Sequence, residues 1–267
     1  MKLSDFMALR RLSKRRLRSE KDYREFQAFQ ARCLVSYMTD RGVEIRGRTL
    51  FDLGSGIAGY SQEFAQRGAR VVSIDLVHPR DSRIDRLSQV QASAMAIPLR
   101  NEVADVVFCA SLIEHVAEPQ AVLVEIERIL RRGGVSYVSF PPYYSPMGGH
   151  EFSPFHYLGE RLAIRLARRH AVVPEWARQL YQLPDQVHSF SALAQGWGLY
   201  KMTVRRFRHL LARTGLVCTD MSTRYMPFSF VRWPLLGEVL TWHAQFLLAK
   251  PPLAVPDFSY GRKIIRI

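Results

Sequence analysis

A chain of 267 residues, 48% hydrophobic and 23% charged, is long enough to bury a sizeable core and too apolar to stay disordered. Its 38 Lys and Arg against 24 Asp and Glu leave a formal charge of +14 and a pI near 10.1, which points to an anionic partner: phospholipid head groups, nucleic acid or an acidic substrate. The three cysteines, Cys33, Cys109 and Cys218, are scattered without metal-type spacing, so buried thiols in a reducing compartment are expected, and no metal site.

From Leu3 to Arg18, Phe6, Leu9 and Leu12 alternate with Arg10, Arg11, Lys14, Arg15 and Arg16. That pattern predicts a basic amphipathic helix, suited to a membrane surface or to nucleic acid, with a plain solvated helix as the simpler reading. The start lacks the apolar core and cleavage site of a secretory signal, and no apolar run is long enough to span a bilayer. A cytoplasmic protein is expected, peripheral at the membrane if the basic start binds lipid. A second helix over 21–41, with Phe26, Phe29, Cys33, Leu34 and Tyr37 at helical spacing, should pack on the sheet that follows. Its Tyr23 and Gln27 are also placed to close over a ligand. Residues 1–44 thus form an N-terminal helical cap, and 45–267 the main domain.

The stretch from Thr49 to Leu76 is the most informative. Leu50-Phe51-Asp52-Leu53 reads as a buried strand, Gly54, Gly56 and Gly59 as a glycine turn, Tyr60, Phe64 and Ala65 as a helix, and Arg70 to Asp75 as a second strand ending on an acid. One βαβ unit of this kind holds a nucleotide-like ligand at the carboxyl ends of its strands, with Asp75 placed to accept ribose hydroxyls. Read literally, the glycines spell a dinucleotide fingerprint, so a nicotinamide-dependent oxidoreductase is an alternative. Asp52 argues against it, because a pyrophosphate disfavours a negative charge beside its glycine turn. A turn at His78-Pro79-Arg80 and a third strand over 88–92 follow. A fourth strand at Ala104 to Ser111 leads into Leu112-Ile113-Glu114-His115-Val116. A helix from about Glu118 is closed by Arg131-Arg132-Gly133-Gly134, and Val135 to Phe140 makes strand five.

Together these segments, over residues 49–142, resemble the class I S-adenosylmethionine-dependent methyltransferases, in particular the group related to ubiquinone-biosynthesis enzymes. Asp52-Leu53-Gly54-Ser55-Gly56 resembles the family's acidic glycine motif, with Ala58 where a third glycine is usual and Gly59 one position later. Ser93-Ala94-Met95-Ala96-Ile97-Pro98-Leu99 resembles its adenine-side segment, with Ser93 in place of the acid, and Leu112 to Val116 resembles its Leu-Glu-His-Val signature. The resemblance implies an α/β, Rossmann-like, doubly wound sheet of seven strands in the order 3-2-1-4-5-7-6, with strand seven antiparallel. It also implies that Asp52, Gly54, Ser55, Gly56 and Gly59 face the methionine end of S-adenosylmethionine. Asp75 would then meet the ribose, Leu76, Ser93 and Ala94 the adenine, and Ala110 and Ser111 the sulfonium.

Beyond Pro142 the family pattern stops. An insertion over about 142–201, dense in aromatics and histidine, reads as an acceptor lid with a helix of its own at 158–169. In it His150 and His156 are candidate general bases, with Glu151 orienting an imidazole or holding the acceptor. His115 is the fourth candidate, for catalysis or for orienting the cofactor. A helix over 203–214, strand six at 216–224, an amphipathic insertion at 226–256 with a helix carrying Leu235, Leu236, Val239, Leu240 and Phe246, and strand seven at 258–267 complete the expected order. The function expected is methyl transfer to an oxygen of a small-molecule, lipid or saccharide acceptor. A nucleic-acid methyltransferase is favoured only by charge: its Asn-Pro-Pro-Tyr type of signature is absent after strand four.

Overall fold

A computed structural model describes residues 3–77, 87–170, 174–180, 187–193, 197–226 and 228–252. In chain order the elements are α1 (Leu3–Arg15), α2 (Glu20–Thr39), β1 (Thr49–Leu53), α3 (Gly59–Gln66), β2 (Arg70–Asp75), β3 (Leu87–Gln91), β4 (Ala104–Ala110), α4 (Pro119–Ile129) and β5 (Leu130–Phe140). Two 3-10 turns (His150–Phe152 and Phe155–Leu158) follow, then α5 (Glu160–His170), α6 (Glu175–Leu180), α7 (Val204–Leu211), β6 (Val217–Thr223), α8 (Leu236–Leu240) and β7 (Ala244–Ala249).

The strands form one sheet in the order β3-β2-β1-β4-β5-β7-β6. The first five run parallel, and β7 is antiparallel to both β5 and β6. This is the expected layout. Period-two alternation sends each strand's side chains into two separate cores. Phe51, Leu53, Val107, Cys109, Val138, Phe140, Phe246 and Leu248 meet α4 and α7 on one face. Leu50, Val106, Phe108, Tyr137 and Leu247 meet α2 and α3 on the other. Phe108 stacks on Tyr137 with ring centroids 5.0 Å apart, and Phe64 meets Phe108 edge-on at 4.9 Å.

Helix ends are held by local chemistry. Ser19 Oγ accepts from Asp22 N at the start of α2, and Thr203 Oγ1 accepts from Arg206 N at the start of α7. Glu238, on α8, accepts from the Val204 and Arg205 backbone amides, so a carboxylate from a distant segment caps α7. The segment between β5 and α7 builds a small core of its own from Phe152, Ala163, Ile164, Ala167, Phe190, Leu193 and Leu199. Helix α1 rests on α2, with Arg15 paired to Asp22 and Glu25. Among the described residues no helix is long and apolar enough to cross a membrane.

The last strand needs a correction. Residues 226–256 were expected to be an insertion with a helix running to Phe246, ahead of a strand at 258–267. Instead the helix spans only Leu236–Leu240, and Ala244–Ala249 is β7. A short apolar run such as Phe246-Leu247-Leu248-Ala249 fits a buried strand as well as a helix face, and pairing with β5 and β6 on both edges decides for the strand. The expected strand at 258–267 and the turn at 78–80 lie outside the described residues. Similarly, Arg131 to Gly134 belong to β5, which starts where α4 ends. This placement of β7 is testable: Phe246→Ala should lower stability by about 3–5 kcal/mol, whereas Phe228→Ala, at a position 68% exposed, should change it by roughly 0.5 kcal/mol or less in denaturant unfolding.

Candidate active site

In a doubly wound sheet, ligands sit outside the carboxyl ends of the strands where the winding reverses, here between β1 and β4. A cavity of about 380 Å³ lies there. Asp52, Gly54 and Gly56 enter it from β1 and its turn, Asp75, Leu76 and Val77 from the end of β2, and Ser93, Ala94 and Met95 from after β3. Ala110, Ser111, Leu112 and His115 enter from β4, and His150 and Glu151 from after β5. Twelve of the fifteen residues singled out in the sequence therefore share one cavity: Asp52, Gly54, Gly56, Asp75, Leu76, Ser93, Ala94, Ala110, Ser111, His115, His150 and Glu151.

The cofactor-like half is built by backbone. Gly54 has φ +71°, and a Cβ there would stand 2.9 Å from Leu112 Cδ1, so this turn needs glycine. Asp75 accepts from Gly56 N at 2.7 Å and from Val77 N at 3.0 Å, which binds the glycine turn to the tip of β2. Ala58 occupies a left-handed position at φ 59°, so the residue standing in for the usual third glycine takes up the strained backbone itself. Asp52 is buried and accepts from Ser61 Oγ; burial first, and the nearby Asp75 charge, push its carboxyl up to about 7.

The opposite half is rich in nitrogen and aromatic rings. Glu114 is 1% exposed. Its Oε1 lies 3.5 Å from His150 Nε2 and 3.9 Å from His115 Nε2. Burial raises the Glu114 carboxyl to about 7 and lowers His115 to about 4, helped by the neighbouring His150, whose own value burial also lowers. His115 Nδ1 is 2.7 Å from Gly198 O. Trp197 meets the His115 ring edge-on at 5.2 Å. Ser111 and His150 both hold positive φ, 54° and 49°, without being glycine, and such strain gathers at functional sites.

Three expected residues stand elsewhere. Ser55 is buried behind the turn. A Cβ on Gly59 would come within 2.5 Å of Gln27 Oε1, so that glycine admits α2 and not a ligand; its N–H donates to Gln27 Oε1. His156 is buried with Nε2 donating to Tyr143 O at 2.9 Å and its ring against Tyr143 and Tyr157, which makes it an anchor of its loop and not a base. Conversely, sequence reasoning passed over Glu114 as a site residue, along with Gln30, Tyr60, Trp197, Arg224 and His243, which all belong to this region. Arg224 is 2% exposed, donates to Tyr60 Oη at 2.7 Å and lies over the Tyr225 ring. Arg224 directly follows β6, and His243 directly precedes β7, the strand placed too late in the chain.

The Asp52 environment carries a sign that can be measured. The folded chain keeps a proton on Asp52 up to about pH 7, whereas an unfolded Asp loses it near pH 4. Its folded value is raised, so the stability it contributes is complete below about pH 4 and is lost as pH rises through about 7. Asp52→Asn should therefore melt higher than the parent at about pH 8, with the gain vanishing towards about pH 4 in thermal scans.

Known proteins supply the remaining facts. Residues 51–138 match the profile of the family described as a methyltransferase domain. An uncharacterized methyltransferase of Mycobacterium ulcerans (strain Agy99) is 32% identical over 192 residues, covering 64% of this chain and 74% of the relative. An S-adenosylmethionine dependent methyltransferase from Mesorhizobium loti has the same fold with a TM-score of 0.50 at 16% identity, over 77% of this chain and 92% of that one. The [4+2]-cyclase SpnF also matches, with a TM-score of 0.50 at 14% identity over 82% of this chain and 81% of its own. At such identities shape alone is shared, and one shape serves different reactions. The sequence relationship and the antiparallel β7 together set aside the oxidoreductase alternative: the chain belongs to the class I S-adenosylmethionine-dependent methyltransferases.

Proposed function

We propose that this methyltransferase carries a methyl group from S-adenosylmethionine to an oxygen of a small-molecule, lipid or saccharide acceptor. The observation that carries the reading is the cavity's two-sided chemistry, with Asp52, Asp75 and the glycine turn on one side and His115 and His150, backed by the buried Glu114, on the other. The cofactor fits the first side by chemistry. Asp75 accepts two backbone N–H groups, and a carboxylate has further lone pairs for two ribose hydroxyls. Arg224 brings a cation for the carboxylate of an amino-acid end and Asp52 carboxyl oxygens for its amine, and Leu76, Val77, Ala94 and Met95 offer apolar surface to an adenine.

Bound there, the cofactor would supply a methyl group activated by a positively charged sulfur. The chain's own part is positioning and exclusion of water. Tyr23, Phe26 and Gln27 of α2 wall the cavity on one side, and Trp197 walls the other. An acceptor hydroxyl entering between them meets the Glu114, His115 and His150 constellation, which takes part in removing its proton. Glu151, beside His150, is placed to hold a polar acceptor.

A surface feature favours the lipid arm of this reading. Trp233 is 53%, Leu235 85% and Trp242 50% exposed, and Trp233 and Leu235 share a groove with Arg205, Arg208 and Arg232. Exposed aromatic and aliphatic side chains beside cations suit an anionic bilayer surface. In flotation with anionic vesicles, salt-sensitive binding is expected, weakened by Trp233→Ser with Trp242→Ser; no binding to anionic over neutral vesicles removes the membrane from this picture. For the cofactor, calorimetry should give a dissociation constant on the order of 1 μM to 1 mM. Asp75→Ala should weaken it by about 1.5–3 kcal/mol. Tight NADH binding without S-adenosylmethionine binding overturns the assignment.

A further inference from the structure

We infer that Glu114, His115 and His150 form a site for one divalent transition-metal ion on the acceptor side of the cavity. The three side chains each offer one ligand atom, and these atoms lie within 4.8 Å of one another. Glu114 Oε1 is 3.5 Å from His150 Nε2 and 3.9 Å from His115 Nε2. Two ligands on one four-coordinate ion, each bonded at about 2.0–2.1 Å, stand about 3.4 Å apart. A direct charge-assisted hydrogen bond between a carboxylate and an imidazolium would close to about 2.7–2.9 Å instead. These spacings are too wide for a hydrogen bond within the trio, and that between Glu114 and His150 matches two ligands of one ion.

The bonding pattern agrees. Neither oxygen of Glu114 and not His150 Nε2 has a hydrogen-bond partner, although all three atoms are buried. A carboxylate this deep is costly unless something completes it. The His115 ring is set up as a ligand. Gly198 O can only accept, so Nδ1 carries the proton, and the Nε2 lone pair is turned towards Glu114. The same short segment pins the backbone of both neighbours: Gly198 N donates to His115 O and Tyr200 N to Glu114 O. His150 is held in a left-handed conformation at the start of its 3-10 turn. The ligands thus sit on backbone fixed from β4, from β5 and from the insertion.

Two imidazoles and one carboxylate select borderline ions such as zinc, cobalt or iron over calcium and magnesium, which prefer oxygen. Protein ligands fill three positions, and two of those ligands, His115 and His150, line the cavity. This deepens the proposed reading and rests on it only for the ion's use. An acceptor hydroxyl at an open position loses its proton more readily: the O–H bond breaks, the proton passes to water, and the electron pair stays on oxygen. Sequence reasoning expected no metal because the ligands come from two distant segments without a recognisable spacing.

The test uses the full chain stripped with a chelator and titrated with cobalt chloride. One ion per chain is expected, with visible d–d absorption of a four- or five-coordinate site and a rise in melting temperature with cobalt. Glu114→Gln and His150→Asn should each weaken binding by at least about 10–100-fold, the loss that even outer partners of a metal site produce. Asn tolerates the left-handed backbone at position 150, so that variant carries the test if Glu114→Gln does not fold. No binding at about 1 mM cobalt, or binding that both variants leave unchanged, overturns the site. S-adenosylmethionine calorimetry on the same stripped protein separates the two readings. Cofactor binding by a protein that takes up no cobalt overturns this inference alone, and loss of cofactor binding in a folded, cobalt-binding protein overturns the function proposed above.

Discussion

The pairing of β4 between β1 and β5 is the constraint on which the rest of the molecule depends. Leu50 to Leu53 lie in register with Val106 to Cys109, and Val106 to Ala110 with Val135 to Ser139. Because side chains alternate across a strand, this register decides that Phe108 and Tyr137 enter one core while Val107 and Val138 enter the other. It also brings three strand ends side by side. The glycine turn, the Glu114 loop and the His150 turn are continuations of those ends, and a one-residue slip of β4 would turn each of them away from the cavity.

Within the cavity the chain handles charge economically. Glu114 and the histidines beside it are shifted by burial towards neutral forms, and Asp52 is shifted the same way. Arg224 is the contrasting case, a buried cation held by Tyr60 and Tyr225 and not by an acid. Groups shifted towards their neutral forms admit an apolar wall beside polar atoms. Trp197 and Phe26 supply that wall.

Legibility from sequence followed locality. The unit from β1 to β2 could be read residue by residue because strand, turn, helix and acid are adjacent, and the structure places Asp52, Gly54, Gly56 and Asp75 together. Gly59 and His156 were misread for opposite reasons. Gly59 belongs to the glycine pattern but answers to Gln27 on α2, and His156 looks chemical but is bonded to its own loop. The trio of Glu114, His115 and His150 joins two segments whose proximity only the sheet order reveals. Strand β7 was placed too late because four apolar residues in a row carry no period, and His243, directly before it, was lost with it.

The position of β7 also bears on how the chain comes off the ribosome. Strand β5 is made early, but its second edge is covered only by Ala244–Ala249, and β6 joins the sheet only through that same strand. Until those residues emerge, the outer edge of β5 is unpaired, and Phe140 lacks the Phe246 ring that stacks on it. The sheet is completed by contacts of high sequence separation, which form slowly and leave an unpaired edge open to misassociation. The N-terminal half, with β1, β2 and β4, can assemble while synthesis continues. Final closure, together with the arrival of His243 beside the cavity, waits for Ala244–Ala249.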